Sequence, residues 1–262
     1  MSAEPTPWIG GVGLHSGTPC RLRVHLDGDP AAHVTFLTEG GPIPATLAAV
    51  LSTSRCTTLG AGTATLATVE HLAAACAATG HWRGLVIEVE GPEVPALDGS
   101  AAPWIEMLED LERRSTPAPL RPARAVRVGG DTAYVEAAPG PVRWDVEIEF
   151  DHPAIGRQRW TGGPADLKAV WCARTPGFLS EATSLRRRGL ALGAGAENAL
   201  VYTPDRALRP HRGGVDEPAR HKVLDLIGDL WLLGRPLAAA VRASRSSHRL
   251  HVELARALAA EP

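Results

Sequence analysis

The segment RHKVLDLIGDLWLLG, residues 220–234, carries a histidine and two carboxylates at helical spacing. His221 and Asp225 are i and i+4, so on one helix their side chains share a face. Asp229 lies one turn further along the same stripe. Neutral imidazole and carboxylate are both good zinc ligands, and two of them on a rigid helix fix part of a coordination shell in advance. The bland alternative is an exposed His–Asp pair that stabilises its helix slightly, and on spacing alone that alternative stands ahead.

The segment TVEHLAAACAATG, residues 68–80, puts Glu70 and His71 in the first turn of a helix. Adjacent residues point in different directions, so one could bind a metal while the other faces a water. A helix N-terminus disfavours protonated histidine, which keeps an imidazole available as a ligand. An acidic first turn beside a surface histidine fits the same pattern. In SRSSHRLH, residues 244–251, His248 falls after a strand and just before a helix, a common setting for catalytic groups. His251 falls inside that helix and reads as a surface residue. GVGLHSG, residues 11–17, is a Gly-rich turn around His15 without the strand, helix and lysine of a phosphate loop. ARTPGF, residues 173–178, offers the Thr175 hydroxyl as a donor to an oxyanion.

These segments need elements to hold them. Arg21–Leu26 and His33–Leu37 have short strand patterns separated by Gly/Pro turns. Thr68 is placed to cap a helix that stops at Gly80, and Ser100 to cap a second through WIEMLEDLERR. Leu85–Val89 is a strand candidate. The proline-rich stretch Ser115–Arg124 reads as a linker. Beyond it, Arg124–Val128 and Thr132–Ala137 suit a hairpin around Gly129-Gly130, and Val142–Phe150 alternates apolar with polar residues as a half-buried strand. Helical patterns follow at Ala165–Trp171, Phe178–Arg188 and Glu217–Leu233, then a strand at Leu237–Ala243 and a helix at Leu250–Ala259. Both halves read as sheet plus helices, an α+β class with two domains, residues 1–116 and 124–262. No short repeat is visible, which leaves room for a duplicated architecture without sequence similarity.

The 262 residues are 44% hydrophobic, ample for a packed core and incompatible with a disordered chain. Lys+Arg (27) and Asp+Glu (29) nearly cancel, so charge points to no nucleic-acid partner. Cys20, Cys56, Cys76 and Cys172 form no CxxC pair and read as free thiols in a reducing cytoplasm. No signal peptide and no apolar stretch of membrane-spanning length is visible. The linker and the lack of coiled-coil periodicity point to a monomer.

The sequence resembles the UDP-3-O-acyl-N-acetylglucosamine deacetylases of lipid A biosynthesis. The matching segments are GVGLHSG, TVEHLAAACAATG, EGPEVPALDGSAAPW, FDHPAIGRQRW, ARTPGF, RGLALGAGAENALVY, RHKVLDLIGDLWLLGRPL and SSH, in the family's order and over nearly the whole chain. TVEHL, PEVPALDGSAAP and RHKVLDLIGDL are together highly specific.

The resemblance implies two sheet-and-helix domains in a layered sandwich with the active site between them. It implies zinc at His71, His221 and Asp225, a general base at Glu70, and a positively charged acid at His248 with Asp229 beside it. Thr175 becomes the oxyanion donor, and Lys222, Phe178 and His15 fall on the substrate side. An insert near residues 179–202 would form a passage for the acyl chain. The implied reaction releases acetate from the UDP-linked acyl-GlcNAc substrate in a bacterial cytoplasm. A His/His/Asp set also suits iron(II). Two departures stand out: a short N-terminus, expected to leave the first strand clipped or weak, and Pro176, where the family more often has a bulky residue. They motivate two alternatives, a paralogous zinc deacetylase for another N-acetylated nucleotide sugar or amino sugar, and a non-catalytic zinc-stabilised sugar-nucleotide binding protein. The presence of Glu70 and His248 weighs against mere binding, which needs neither base nor acid.

Overall fold

A computed structural model describes residues 4–261. The first half contains strands β1 (Ile9–Val12), β2 (Pro19–Leu26), β3 (Thr35–Thr38), β4 (Gly41–Pro44), β5 (Val50–Ser52), β6 (Thr58–Ala61) and β7 (Ala64–Leu66), helix α1 (Glu70–Thr79), strand β8 (Leu85–Glu90) and helix α2 (Ala102–Glu109). The second contains β9 (Val126–Gly129), β10 (Tyr134–Ala138), β11 (Arg143–Glu149), β12 (Arg157–Gly162), β13 (Pro176–Phe178), α3 (Leu179–Arg187), β14 (Leu200–Tyr202), α4 (Glu217–Trp231), β15 (Ala240–Ser244) and α5 (His248–Ala259).

Two five-stranded sheets have the same topology. One runs β1-β2-β8-β3-β4 and the other β9-β10-β15-β11-β12. In each, the last strand in sequence sits in the centre, antiparallel to the second strand and parallel to the third. In each, a long helix precedes that central strand and another follows it. The duplication that sequence comparison of the halves does not reveal is therefore present in the chain path. The alternation read from the sequence sets the inward faces: Leu22, Val24 and Leu26 of β2, Ile87 of β8, and Val146 and Ile148 of β11 are all buried. These residues and the helices between the sheets form one continuous core.

Helix α4 is the centre of that core, and every residue in it except Lys222 is buried. A helix buried on all sides normally carries apolar residues. This one carries Glu217, Arg220, His221, Asp225 and Asp229, and buried charge persists only where it is paired or ligated. Helix α1, rich in alanine, packs against it closely at Gly228, where any Cβ would strike the backbone of Glu70. Gly80 ends α1 in the left-handed conformation, as its sequence suggests.

Several local expectations need correction. Thr68 does not cap α1; it takes a φ of 59°, and its hydroxyl donates to Glu93 Oε1 at 2.7 Å. Ser100 lies one residue outside the cap of α2, which is Ala101, although its Oγ accepts the Ala102 N–H at 3.2 Å. Ala165–Trp171 is covered by a 3-10 helix over Pro164–Ala169 rather than an α-helix. Strand β1 is neither lost nor frayed: all four residues pair with β2, from Ile9 opposite Leu22 to Val12 opposite Pro19. The cysteines are free, with Cys172 half-buried and the others buried.

Candidate metal centre

The first turn of α1, the middle of α4 and the first turn of α5 meet in one place. Nε2 of His71 lies 3.1 Å from Nε2 of His221. Asp225 Oδ1 lies 3.4 Å from the latter and 3.6 Å from the former. Ligands about 2.05 Å from a tetrahedral ion stand roughly 3.3 Å from one another, so the triangle fits a single metal. Asp225 Oδ1 is buried and finds no hydrogen-bond partner among the described residues. A carboxylate oxygen in that position is costly unless a cation takes it. Asp225 Oδ2, by contrast, accepts from Lys222 Nζ at 2.8 Å.

Electrostatics favour the ligand forms. Burial pushes the pKa of His221 down to about 3, so its ring is neutral. Burial alone would raise the Asp225 carboxyl, but His221, Lys222 and His248 outweigh it and hold it well below the usual range.

Three further groups surround the triangle. Glu70 is buried and its Oε1 faces His248 Nε2 at 3.9 Å, while Oε2 accepts the Thr57 N–H at 3.0 Å. Burial raises the Glu70 pKa, which suits a carboxylate meant to take up a proton. His248 is the first residue of α5 rather than part of the preceding loop. Its Nδ1 donates to Asp229 Oδ2 at 2.8 Å, leaving Nε2 turned to the site. Burial opposes the charged form of His248, but Asp229, Asp225 and Glu70 lift its pKa to about 10. Thr175 Oγ1 lies 2.9 Å from His221 Nε2. It is anchored by its neighbour Arg174, whose guanidinium and backbone N–H both bond the fully buried Glu217.

A cavity of about 410 Å³ opens beside the triangle, with His15, Arg55, Pro176, Phe178, Lys222 and His248 in its wall. Phe178 sits among aromatic rings, 5.6 Å from Phe150, 5.3 Å from His152 and 5.9 Å from Tyr202. His15 is held by Glu93, which also accepts from Ser16 N and Oγ and from Thr68. A separate cavity of about 320 Å³ lined by Trp82, Trp144, Trp171 and Trp231 has no titratable side chain, so the chemistry belongs to the first.

A profile of the UDP-3-O-acyl N-acetylglycosamine deacetylases matches residues 6–260. The chain belongs to this family. A UDP-3-O-acyl-N-acetylglucosamine deacetylase of Thermosynechococcus vestitus is 44% identical over 262 residues, covering 95% of this chain and 90% of the relative. One of Brucella melitensis is 38% identical over 267 residues, covering 95% and 91%. In this deacetylase-family chain, Glu70, His15, Thr175, Phe178, Lys222 and His248 lie at the triangle or on the wall of its cavity, and Asp229 lies directly behind it.

Two buried polar residues at this site, Glu93 and Thr57, carry no signal in the sequence reading, and a third, His251, stands there only as the weaker competitor of His248. Glu93 fastens the His15 turn, and Thr57 bonds both Glu70 and Asp229. His251, read as a surface residue, is fully buried with Nδ1 2.7 Å from Asp229 Oδ2. The signal for His251 was present, because it falls within the apolar stripe Leu250, Leu254, Ala255 and Leu258. Asp229, His248 and His251 also cluster closely enough to suggest a second cation site. Their separations are hydrogen-bond lengths between imidazole donors and one carboxylate oxygen, so that cluster is a network of hydrogen bonds.

Proposed function

We propose that this protein hydrolyses the N-acetyl group of UDP-3-O-acyl-N-acetylglucosamine, releasing acetate and the free amine in an early step of lipid A biosynthesis. The observation that carries the reading is the convergence of His71, His221 and Asp225 at metal-ligand spacing, beside a buried carboxylate and a buried cationic histidine, in a chain of this family. His71, His221 and Asp225 hold the metal, which we assign as zinc, with iron(II) the alternative the same donors suit. When bound, the metal supplies Lewis acidity, acidifying a water and polarising the acetamide carbonyl.

Glu70 is the general base that takes the proton from the attacking water. Its raised pKa improves its affinity for that proton. Thr175 Oγ1 donates to the oxygen that gains charge as the carbonyl is attacked. His248, charged at neutral pH, gives its Nε2 proton to the departing amine. Asp229 holds the imidazole through Nδ1 so that this proton faces the site. Lys222, Phe178 and His15 line the approach, and the segment 179–202 carries the acyl chain. Pro176 forms part of the same wall, which directs acyl or sugar selectivity to this position.

No helix among the described residues is long and apolar enough to cross a membrane. We place the enzyme in the bacterial cytoplasm and read it as a monomer, its domains spanning residues 1–116 and 124–262. The test is turnover of the UDP-linked acyl-GlcNAc with and without a strong chelator. Acetate release that chelation abolishes and zinc restores supports the reading. Chelator-insensitive turnover, or none with zinc bound, overturns it.

A further inference from the structure

Two buried side chains beside the site have no part in the reaction as derived above: His251 and Thr57. Both are fully buried and both bond the same carboxylate. Asp229 Oδ1 accepts the Thr57 hydroxyl at 2.6 Å. Asp229 Oδ2 accepts Nδ1–H of His248 at 2.8 Å and Nδ1–H of His251 at 2.7 Å. A carboxylate with one donor can rotate and offer either oxygen, whereas one with donors on both oxygens is fixed. The far side of His251 is settled too: its Nε2 lies 2.8 Å from Ser246 Oγ. Because Nδ1 donates to a carboxylate, Nε2 of the neutral ring accepts the serine hydroxyl. His251 therefore adds a hydrogen bond without a positive charge that would compete with His248 for Asp229.

Thr57 has a second attachment. Its backbone N–H bonds Glu70 Oε2 at 3.0 Å, and its carbonyl accepts the Val69 N–H at 3.3 Å. One residue thus ties the carboxylate of Glu70, in the first turn of α1, to the carboxylate on α4 that orients His248. We propose that His251 and Thr57 are positioning residues that lock Asp229 in one orientation, and through it fix the imidazole of His248 against Glu70. The inference rests on the deacetylase reading for the role of His248, but the locking is a property of the fold.

The test compares His251→Leu with His251→Asn, which retains a donor, and Thr57→Val with Thr57→Ser. In zinc-loaded protein, His251→Leu and Thr57→Val are expected to lower kcat by roughly 10- to 100-fold, with KM and zinc content unchanged. The donor-retaining variants recover most of the loss. His251→Leu combined with Asp229→Asn is expected to lose no more than Asp229→Asn alone, since both act through one group. Additive losses, or a fully active His251→Leu protein, overturn the proposal while leaving the deacetylase reading intact. A second readout does not depend on turnover. The Nδ1–H proton of His248 is expected at low field in the NMR spectrum and to shift and broaden in both His251→Leu and Thr57→Val. An unchanged His248 resonance in those folded variants overturns the proposal even if wild-type protein releases no acetate, a result that would by itself sink only the deacetylase reading.

Discussion

Replacing Gly228 with alanine sets two physical effects against each other. The residue lies inside α4, where exchanging glycine for alanine gains about 1 kcal/mol of helix propensity. A methyl group there would fall inside the van der Waals shell of the Glu70 carbonyl oxygen, 2.9 Å from the carbonyl carbon and 3.2 Å from Cα. Carbon atoms rest about 3.5–4.0 Å apart, so the start of α1 must retreat by roughly 1 Å. The obstructing atoms are backbone, and no rotamer change relieves them. Overpacking of this kind costs about 1–3 kcal/mol, which exceeds the propensity gain over most of its range. The site suffers more than the fold. Glu70 and His71 ride on α1, while His221 and Asp225 ride on α4, so the ligand triangle opens by the same distance. A misplacement of about 1 Å can cost roughly 100-fold in rate. The expected result is a folded protein with a slightly lowered melting temperature, weakened zinc affinity and about 100-fold lower kcat. Competition against a chromophoric chelator, thermal unfolding and steady-state kinetics measure the three. A Gly228→Ala protein that binds zinc as tightly as wild type and melts higher would refute the reasoning, because propensity would then have won.

Glu70→Gln keeps the shape of the side chain and removes the base; zinc content should hold while kcat falls by about 100- to 10,000-fold. Metal loss in that variant would instead make Glu70 a ligand. Glu93→Leu leaves the donors of His15, Ser16 and Thr68 without their shared acceptor, so the turn over the cavity should loosen, raising KM more than it lowers kcat. Unaltered KM would show that the turn is held by other means. Asp229 titrates at about 2 in the folded protein against an ordinary value of 3.8, so its contribution to stability is complete above pH 3.8 and lost as pH falls towards 2. His248 has the opposite sign: its contribution is complete below 6.5 and lost as pH rises through about 10. Unfolding monitored across both limbs should therefore be flatter in Asp229→Asn than in wild type.

The sequence makes the site legible in unequal parts. His221 and Asp225 are visible as a helical pair because one element carries both. His71 joins them only through the family resemblance, since no local rule connects residues 150 positions apart. Thr57 was invisible for a related reason: its hydroxyl finds Asp229 at a separation of 172, and nothing in CTT announces a buried hydroxyl. Thr68 shows a local rule losing to a tertiary contact, because the hydroxyl expected to cap α1 goes to Glu93. The strands were legible from alternation, as β2 and β11 illustrate, but their order was not. That two sheets share one topology depends on pairings between distant strands, which the two halves specify with different residues.

The placement of the ligands also bears on how the folded chain survives. The first half contributes one ligand and the second contributes two, so a chain with either half unfolded has no complete triangle. A cation that binds only the finished arrangement stabilises it by mass action, by about 4 kcal/mol at a thousandfold excess over Kd. On the proposed reading, metal binding therefore adds to the stability of the fold as well as supplying its chemistry. A chain without the ion lacks that increment, which would join the first turn of α1 to the middle of α4.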